Sequence, residues 1–139
     1  MQIHASCVAL DGDGVLLLGP SGAGKSDLAL RLLERGFVLV ADDRVDVEDL
    51  VARPPPALAG LLEVRGIGIL RRPHLAEARL ALAVELAAGE RLPLPRRHAT
   101  LGLPMIAIEP FAASAAQRVA LALDCLRGRA SLAAGAFAT

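Results

Sequence analysis

The chain alternates between two hydrophobic periods. Residues 3–10 are apolar enough for a strand, and Asp11-Gly12-Asp13-Gly14 follows as a strong turn signal. Val15 to Leu18 is short and wholly apolar, the pattern of a strand buried on both faces. From Lys25 to Arg35 the period lengthens. Leu28 and Leu32 repeat at i,i+4 with Ala29 and Leu33 beside them, and Asp27 and Arg31 pair on the polar side, so a helix is predicted. Gly36 is placed to stop it. Phe37 to Ala41 reads as a strand ending in Asp42-Asp43, and Val45 to Glu48 alternates as a half-exposed strand. Pro54-Pro55-Pro56 imposes a loop. Residues 61–70 are strand-like, and residues 79–86 and 105–108 read as further strands separated by a surface loop over 87–103. Residues 112–126 form a second helix, ended by Gly128. These elements make one domain over residues 1–128, with 129–139 as a flexible C-terminal tail. No internal repeat is visible.

Composition narrows the function classes. Of the 139 residues, 54% are hydrophobic and only 2% aromatic, with no Trp or Tyr, so the core is built from Leu, Val, Ile and Ala. So few aromatics argue against stacking platforms for the bases of single-stranded nucleic acid. Lys+Arg and Asp+Glu balance at 15 each, leaving no net field to draw DNA or an anionic membrane. No apolar run is long enough to span a bilayer, and the N-terminus carries no signal-peptide pattern, so a cytoplasmic protein is expected. Cys7 and Cys125 fit no metal spacing and read as buried, reduced thiols.

The chemistry begins at Gly19-Pro20-Ser21-Gly22-Ala23-Gly24-Lys25-Ser26. This is G-x-x-x-x-G-K-S between a strand and a helix, the pattern whose backbone N–H groups and helix start cradle phosphates. Lys25 is placed to reach β- and γ-phosphates, and Ser26 to bind Mg²⁺ through its hydroxyl. Lys25 is also the only lysine; every other basic residue among the 15 is arginine. A compact ammonium fits among phosphate oxygens where a planar guanidinium does not. A strand–helix–strand unit with parallel strands brings Asp42 and Asp43 to the sheet edge that carries the loop. One carboxylate then suits Mg²⁺ or its water, and the other an attacking hydroxyl's proton. Glu63 and Arg65 flank a valine in an extended segment and so share a face, as either a Mg²⁺-phosphate pair or a plain surface ion pair, and Gly66 and Gly68 after them invite close backbone approach or a bend. His4 stands alone in the first strand. Arg91, Arg96 and Arg97 crowd a loop that is either a solvated rim or a contact for anions.

Taken together, His4, Gly19–Ser26, "LVADD" at 39–43 and "EVRGIGIL" at 63–70 resemble the catalytic domain of HPr kinase/phosphorylase, and more closely its short alphaproteobacterial form. The resemblance covers residues 2–126. It implies an α/β, P-loop-containing, phosphoenolpyruvate carboxykinase-like fold. It also implies ATP- and Mg²⁺-dependent phosphorylation of a serine on an HPr-type phosphocarrier protein. The reverse reaction it implies has inorganic phosphate attack the phosphoserine and release pyrophosphate. By position, Lys25 binds phosphate, Ser26 and Glu63 bind Mg²⁺, and Asp42 supports the metal. Asp43 takes and returns the serine proton, with His4 beside it, and Arg91 in "ERL" matches the catalytic arginine. The N-terminal domain of longer members is missing from this sequence. Ala5 stands where those members have glycine, and Glu109-Pro110-Phe111 stands near the place of a "PGRN"-like stretch tied to dephosphorylation. A homo-oligomer is compatible with the resemblance, which does not carry over the longer members' hexamer. Two other classes share the P-loop: a small-metabolite kinase or NTPase, which turns over without a protein acceptor, and a nucleotide-sensing module, which binds without turnover.

Overall fold

The computed structural model describes residues 1–137; of the tail expected over 129–139, the last two residues lie outside the described ones. Eleven strands and two α-helices occur among the described residues. In chain order they are β1 (Gln2–Ile3), β2 (Ala5–Leu10), β3 (Asp13–Leu18), α1 (Lys25–Leu33), β4 (Val38–Ala41), β5 (Val45–Glu48), β6 (Val51–Arg53), β7 (Leu61–Val64), β8 (Gly68–Arg71), β9 (Ala78–Leu86), β10 (Arg96–Arg97), β11 (Pro104–Ile108) and α2 (Ala115–Leu126).

β2 and β3 form a two-residue hairpin in which Leu10 pairs with Asp13. Its turn residues, Asp11 and Gly12, have φ of 49° and 87°, the double positive φ that an Asp-Gly turn supplies. The main sheet runs β1-β5-β6-β9-β3-β2-β4, with β11 also on β9 and β10 on β11. β3 and β9 are parallel, as are β9 and β11. β2 is antiparallel to both β3 and β4, so β4 runs parallel to β3 with β2 between them. The C-terminal ends of β4, β3, β9 and β11 therefore meet at one edge of the sheet, where α/β proteins bind ligands.

The central strands are buried on both faces, which is why they read as continuous apolar runs. Val8, Val15, Leu17, Leu82 and Val84 pack with Leu28 and Leu32 of α1 and Val119 and Leu123 of α2. Ala136 and Phe137 lie partly buried against the same cluster. Cys7, Leu16 and Ala83 point the other way and pack with Val40, Val45, Val47 and Leu80. α1 ends as the Gly36 signal predicts, with Gly36 N–H donating to Leu33 O (3.1 Å) and Phe37 N–H to Leu32 O (3.2 Å).

Several bounds differ from the sequence reading. The first strand breaks at His4, because β1 pairs with β5 while β2 pairs with β3 and β4. Residues 61–70 are not one extended segment. They turn back over residues 65–67 to make the β7–β8 hairpin, so Arg65 stands in its turn. β6 and β10 are strands the pattern did not reveal; β10 lies within the expected surface loop over 87–103, where Arg96 and Arg97 pair with Met105 and Pro104. α2 starts at Ala115 rather than Ala112, because Ala112 N–H closes a turn onto Glu109 O (3.2 Å) first.

Candidate active site

The phosphate loop follows β3 and runs straight into α1. Gly24 caps the helix at φ 103°, and a Cβ there would meet the Phe111 ring at 3.3 Å. Glycine is therefore required twice, for the backbone and for the close approach. Lys25, the first helical residue, is 5% exposed. Its Nζ donates to Gly19 O (2.7 Å) and Pro20 O (3.0 Å), so two of its three donors shape the loop. Ala23 N–H donates to Pro20 O (3.0 Å). Burial lowers the Lys25 pKa from its ordinary value, with Arg44 adding to the effect and the Asp43 and Asp42 carboxylates opposing it.

Asp42 follows β4 and is buried. Its Oδ1 accepts hydrogen bonds from Ser26 Oγ and Ser6 Oγ, each at 2.7 Å, and its Oδ2 accepts one from Glu63 N–H (3.2 Å). One carboxylate thus joins the helix start, β2 and the β7–β8 hairpin. Asp43 has φ 67°, left-handed backbone that Asp tolerates better than most residues and that recurs at functional sites. Its N–H donates to Ser6 Oγ (3.2 Å). Its Oδ1 lies 2.7 Å from His4 Nε2. His4 occupies the break between β1 and β2, where the chain changes partners.

A cleft of about 620 Å³ opens over these groups, lined on the loop side by Ser21, Gly22, Gly24, Lys25 and Ser26. Asp43, Glu63, Val64 and Arg65 also line it, and Asp27, Leu30 and Phe111 complete the lining. That volume suits a nucleotide-sized ligand. Of the expected site residues, the loop 19–26, Asp42, Asp43, His4 and Glu63 come together. Arg91 does not join them: it is exposed, on the loop after β9, outside the cleft lining. The guanidinium residue in the lining is Arg65. Sequence reasoning passed over Ser6, whose hydroxyl joins Asp42 to Asp43. A lone polar residue in the otherwise apolar run Ala5–Leu10 was its only signal in the sequence, and the structure buries it completely. It also passed over Phe111 as a cleft residue.

The donor set fits Mg²⁺. This ion takes one or two carboxylates together with phosphate oxygens and water, rather than a closed protein cage. Ser26 commits its hydroxyl hydrogen to Asp42, which leaves its oxygen lone pairs as acceptors, and the neighbouring Glu63 carboxylate lines the cleft.

Comparison with known proteins agrees with this geometry. Residues 1–76 match the HPr serine kinase C-terminal domain. The chain is 47% identical over 73 residues to an HPr kinase/phosphorylase of Clostridium beijerinckii, covering 50% of this chain and 24% of that protein. It is 49% identical over 74 residues to one of Lacticaseibacillus casei, covering 50% of this chain and 23% of that protein. The match thus spans about a quarter of the length of these relatives. The solved Hpr(Ser) kinase/phosphatase of Coxiella burnetii superposes with a TM-score of 0.72 at 26% identity, over 93% of this chain and 96% of that one. The phosphate loop, the Asp42–Asp43 pair and Glu63 all lie within the matched residues 1–76, and on that match the chain belongs to the HPr serine kinase C-terminal domain family.

Proposed function

We propose that this domain transfers the γ-phosphoryl group of ATP to a serine of an HPr-type phosphocarrier protein. The observation that carries the reading is Asp43: a carboxylate in the cleft wall, held by His4 at 2.7 Å, on the sheet edge that bears Lys25 and Ser26. The loop 19–26 and Lys25 hold the phosphates. The acceptor's Oγ attacks the γ-phosphorus, the bond to the β–γ bridging oxygen breaks, and ADP leaves. The hydroxyl proton passes to Asp43. His4 orients Asp43. Ser26 and Glu63 would hold Mg²⁺, with Asp42 supporting Ser26, and the ion would supply neutralisation of the triphosphate's charge there. Arg65 is the lining guanidinium suited to the charge of the transferring group.

The same groups run the opposite reaction. Inorganic phosphate attacks the phosphoserine phosphorus, the seryl oxygen leaves and takes its proton from Asp43, and pyrophosphate forms. An open cleft suits a protein acceptor, which excludes water by covering the site itself.

The test is transfer of labelled γ-phosphate to a purified HPr-type protein with Mg²⁺, beside that protein's serine-to-alanine variant. Label on the first alone establishes the activity, and adding inorganic phosphate then tests the reverse reaction. Phosphate release without labelling would replace this reading with an NTPase or small-metabolite kinase. Binding without turnover would leave a sensing module. Asp43→Asn keeps a side chain that tolerates the left-handed backbone while removing the base. It should retain ATP binding and lose transfer by at least about 100-fold. Unchanged transfer would remove Asp43 from the proton-accepting role.

A further inference from the structure

The chain has three phenylalanines and no other aromatic residue. Phe37 is 4% exposed in the core, and Phe137 packs partly buried against the same cluster. Phe111 is 70% exposed. A ring left in water gives up its burial energy, and this one lies in the cleft, packed at Gly24 of the phosphate loop.

Its loop is tied down on both sides. Arg31 of α1 donates to Pro110 O and to Ala112 O (3.3 Å), the carbonyls flanking Phe111. Phe111 N–H donates to Glu109 Oε1 (3.2 Å). A ring on an anchored loop loses little further freedom when a ligand covers it.

The strand order fixes which part of a ligand it meets. The phosphate loop leaves β3. On one side, across β2, β4 delivers Asp42 and Asp43; on the other, across β9, β11 delivers Phe111. The reacting γ-phosphoryl group belongs with the carboxylates and Ser26. A nucleotide with its γ-phosphoryl group there would have its other end on the side of Phe111.

We propose that Phe111 is the stacking platform for the nucleobase. Stacking uses the π-face common to all bases, so the platform holds adenine and guanine nucleotides alike. This rests on the reading of loop 19–26 as a nucleoside triphosphate site.

The test is calorimetric titration with Mg²⁺ of three probes: a non-hydrolysable ATP analogue, the matching GTP analogue, and inorganic tripolyphosphate. Wild type, Phe111→Ala and Phe111→Trp are compared. Phe111→Ala should weaken both nucleotides about tenfold and leave tripolyphosphate within about twofold, while Phe111→Trp restores nucleotide binding. Equal weakening of tripolyphosphate would reduce Phe111 to packing for the loop and overturn the proposal, as would unchanged nucleotide affinity. If wild type binds tripolyphosphate as tightly as the ATP analogue, the phosphate site stands and the platform falls. If it binds none of the three, the phosphate-loop reading itself fails and takes the platform with it.

Discussion

Lys25 is strained between two demands. Burial lowers its pKa, while a bound triphosphate would favour the charged ammonium. Its pKa is therefore higher with nucleotide than without. Affinity should be constant below the free-protein value and fall as pH rises from there toward the bound value. Fold stability responds with the opposite sign. The unfolded chain binds the Lys25 proton more tightly than the folded one, so this group's contribution rises with pH from its lowered value up to the ordinary 10.5. Titrations in two buffers of different ionisation enthalpy should detect proton uptake on ATP binding, lost in Lys25→Met along with most affinity. Absence of uptake at pH values inside that window would mean that the nucleotide does not meet the ammonium. Ser6 carries a different load. Its hydroxyl donates to Asp42 and accepts from Asp43 N–H, and it is wholly buried. Ser6→Ala leaves that N–H without its partner and should cost about 1–3 kcal/mol in denaturant unfolding. It should also lower transfer, because the left-handed Asp43 backbone loses its anchor. That Lys25, Asp42, Asp43 and Glu63 come together was legible, because each belongs to a motif. Ser6 was not, since its role depends on a cross-strand neighbour 36 residues away.

Between elements, burial separates contacts that a count of ion pairs would equate. Arg127, just past α2, is 11% exposed in its side chain. Its Nε donates to Asp13 Oδ2 at 2.6 Å and its Nη2 to Leu10 O, pinning the helix end to the β2–β3 hairpin. Arg53 pairs with Glu77 at 2.9 Å, but both side chains are about half exposed. Arg127→Ala should cost about 1–3 kcal/mol, because charge-assisted bonds are lost out of water. Arg53→Ala should cost less than about 1 kcal/mol, because solvent screens that pair. Parallel chemical denaturation of the two variants decides this, and equal losses would show that α2 is held by its apolar face alone. The elements that could be read were those with a local hydrophobic period: α1, α2 and the strands β2, β3, β4, β5, β9 and β11. The β7–β8 hairpin was not. In "EVRGIGIL" Gly66 and Gly68 signal a bend or a close approach, and only the pairing of Glu63 with Ile69 and Val64 with Gly68 shows that the chain folds back on itself. That reversal puts Arg65 in a turn and still leaves it in the cleft beside Glu63.

For the whole molecule, the parallel topology could be anticipated only for β3 and β4, through the helix that joins them. The place of β2 between them, and of β9 and β11 beyond, follows from pairings across long sequence separations that no local pattern encodes. Those pairings build the site, since its groups come from β2, α1, β4, the β7–β8 hairpin and the loop after β11. Nucleotide binding should therefore stabilise the fold globally rather than one loop. Cys7 offers a probe of this. It lies in β2, between β3 and β4, and burial pushes its thiol up to about 12 from 9.0, against a smaller opposing effect of the Val15 backbone. At pH 8 such a thiol has roughly a thousandfold less thiolate than a free one, so alkylation must wait for the sheet to open. Because the folded pKa is the higher one, the contribution of Cys7 to stability is complete below about 9 and is lost as pH rises toward 12. Cys125 is partly exposed, and no such delay applies to it. Mass-resolved alkylation at pH 8 should label Cys125 first and Cys7 only at the rate of sheet opening. ATP with Mg²⁺ at 100 times its Kd adds about 2.7 kcal/mol to the folded state. Where the sheet opens and recloses faster than it is alkylated, this should slow Cys7 labelling about 100-fold and leave Cys125 unchanged. Equal slowing at both cysteines would mean that ATP also protects the Cys125 region of the native protein. No slowing at Cys7 would mean that the sheet opens without releasing the nucleotide, and that the site does not hold its strands together.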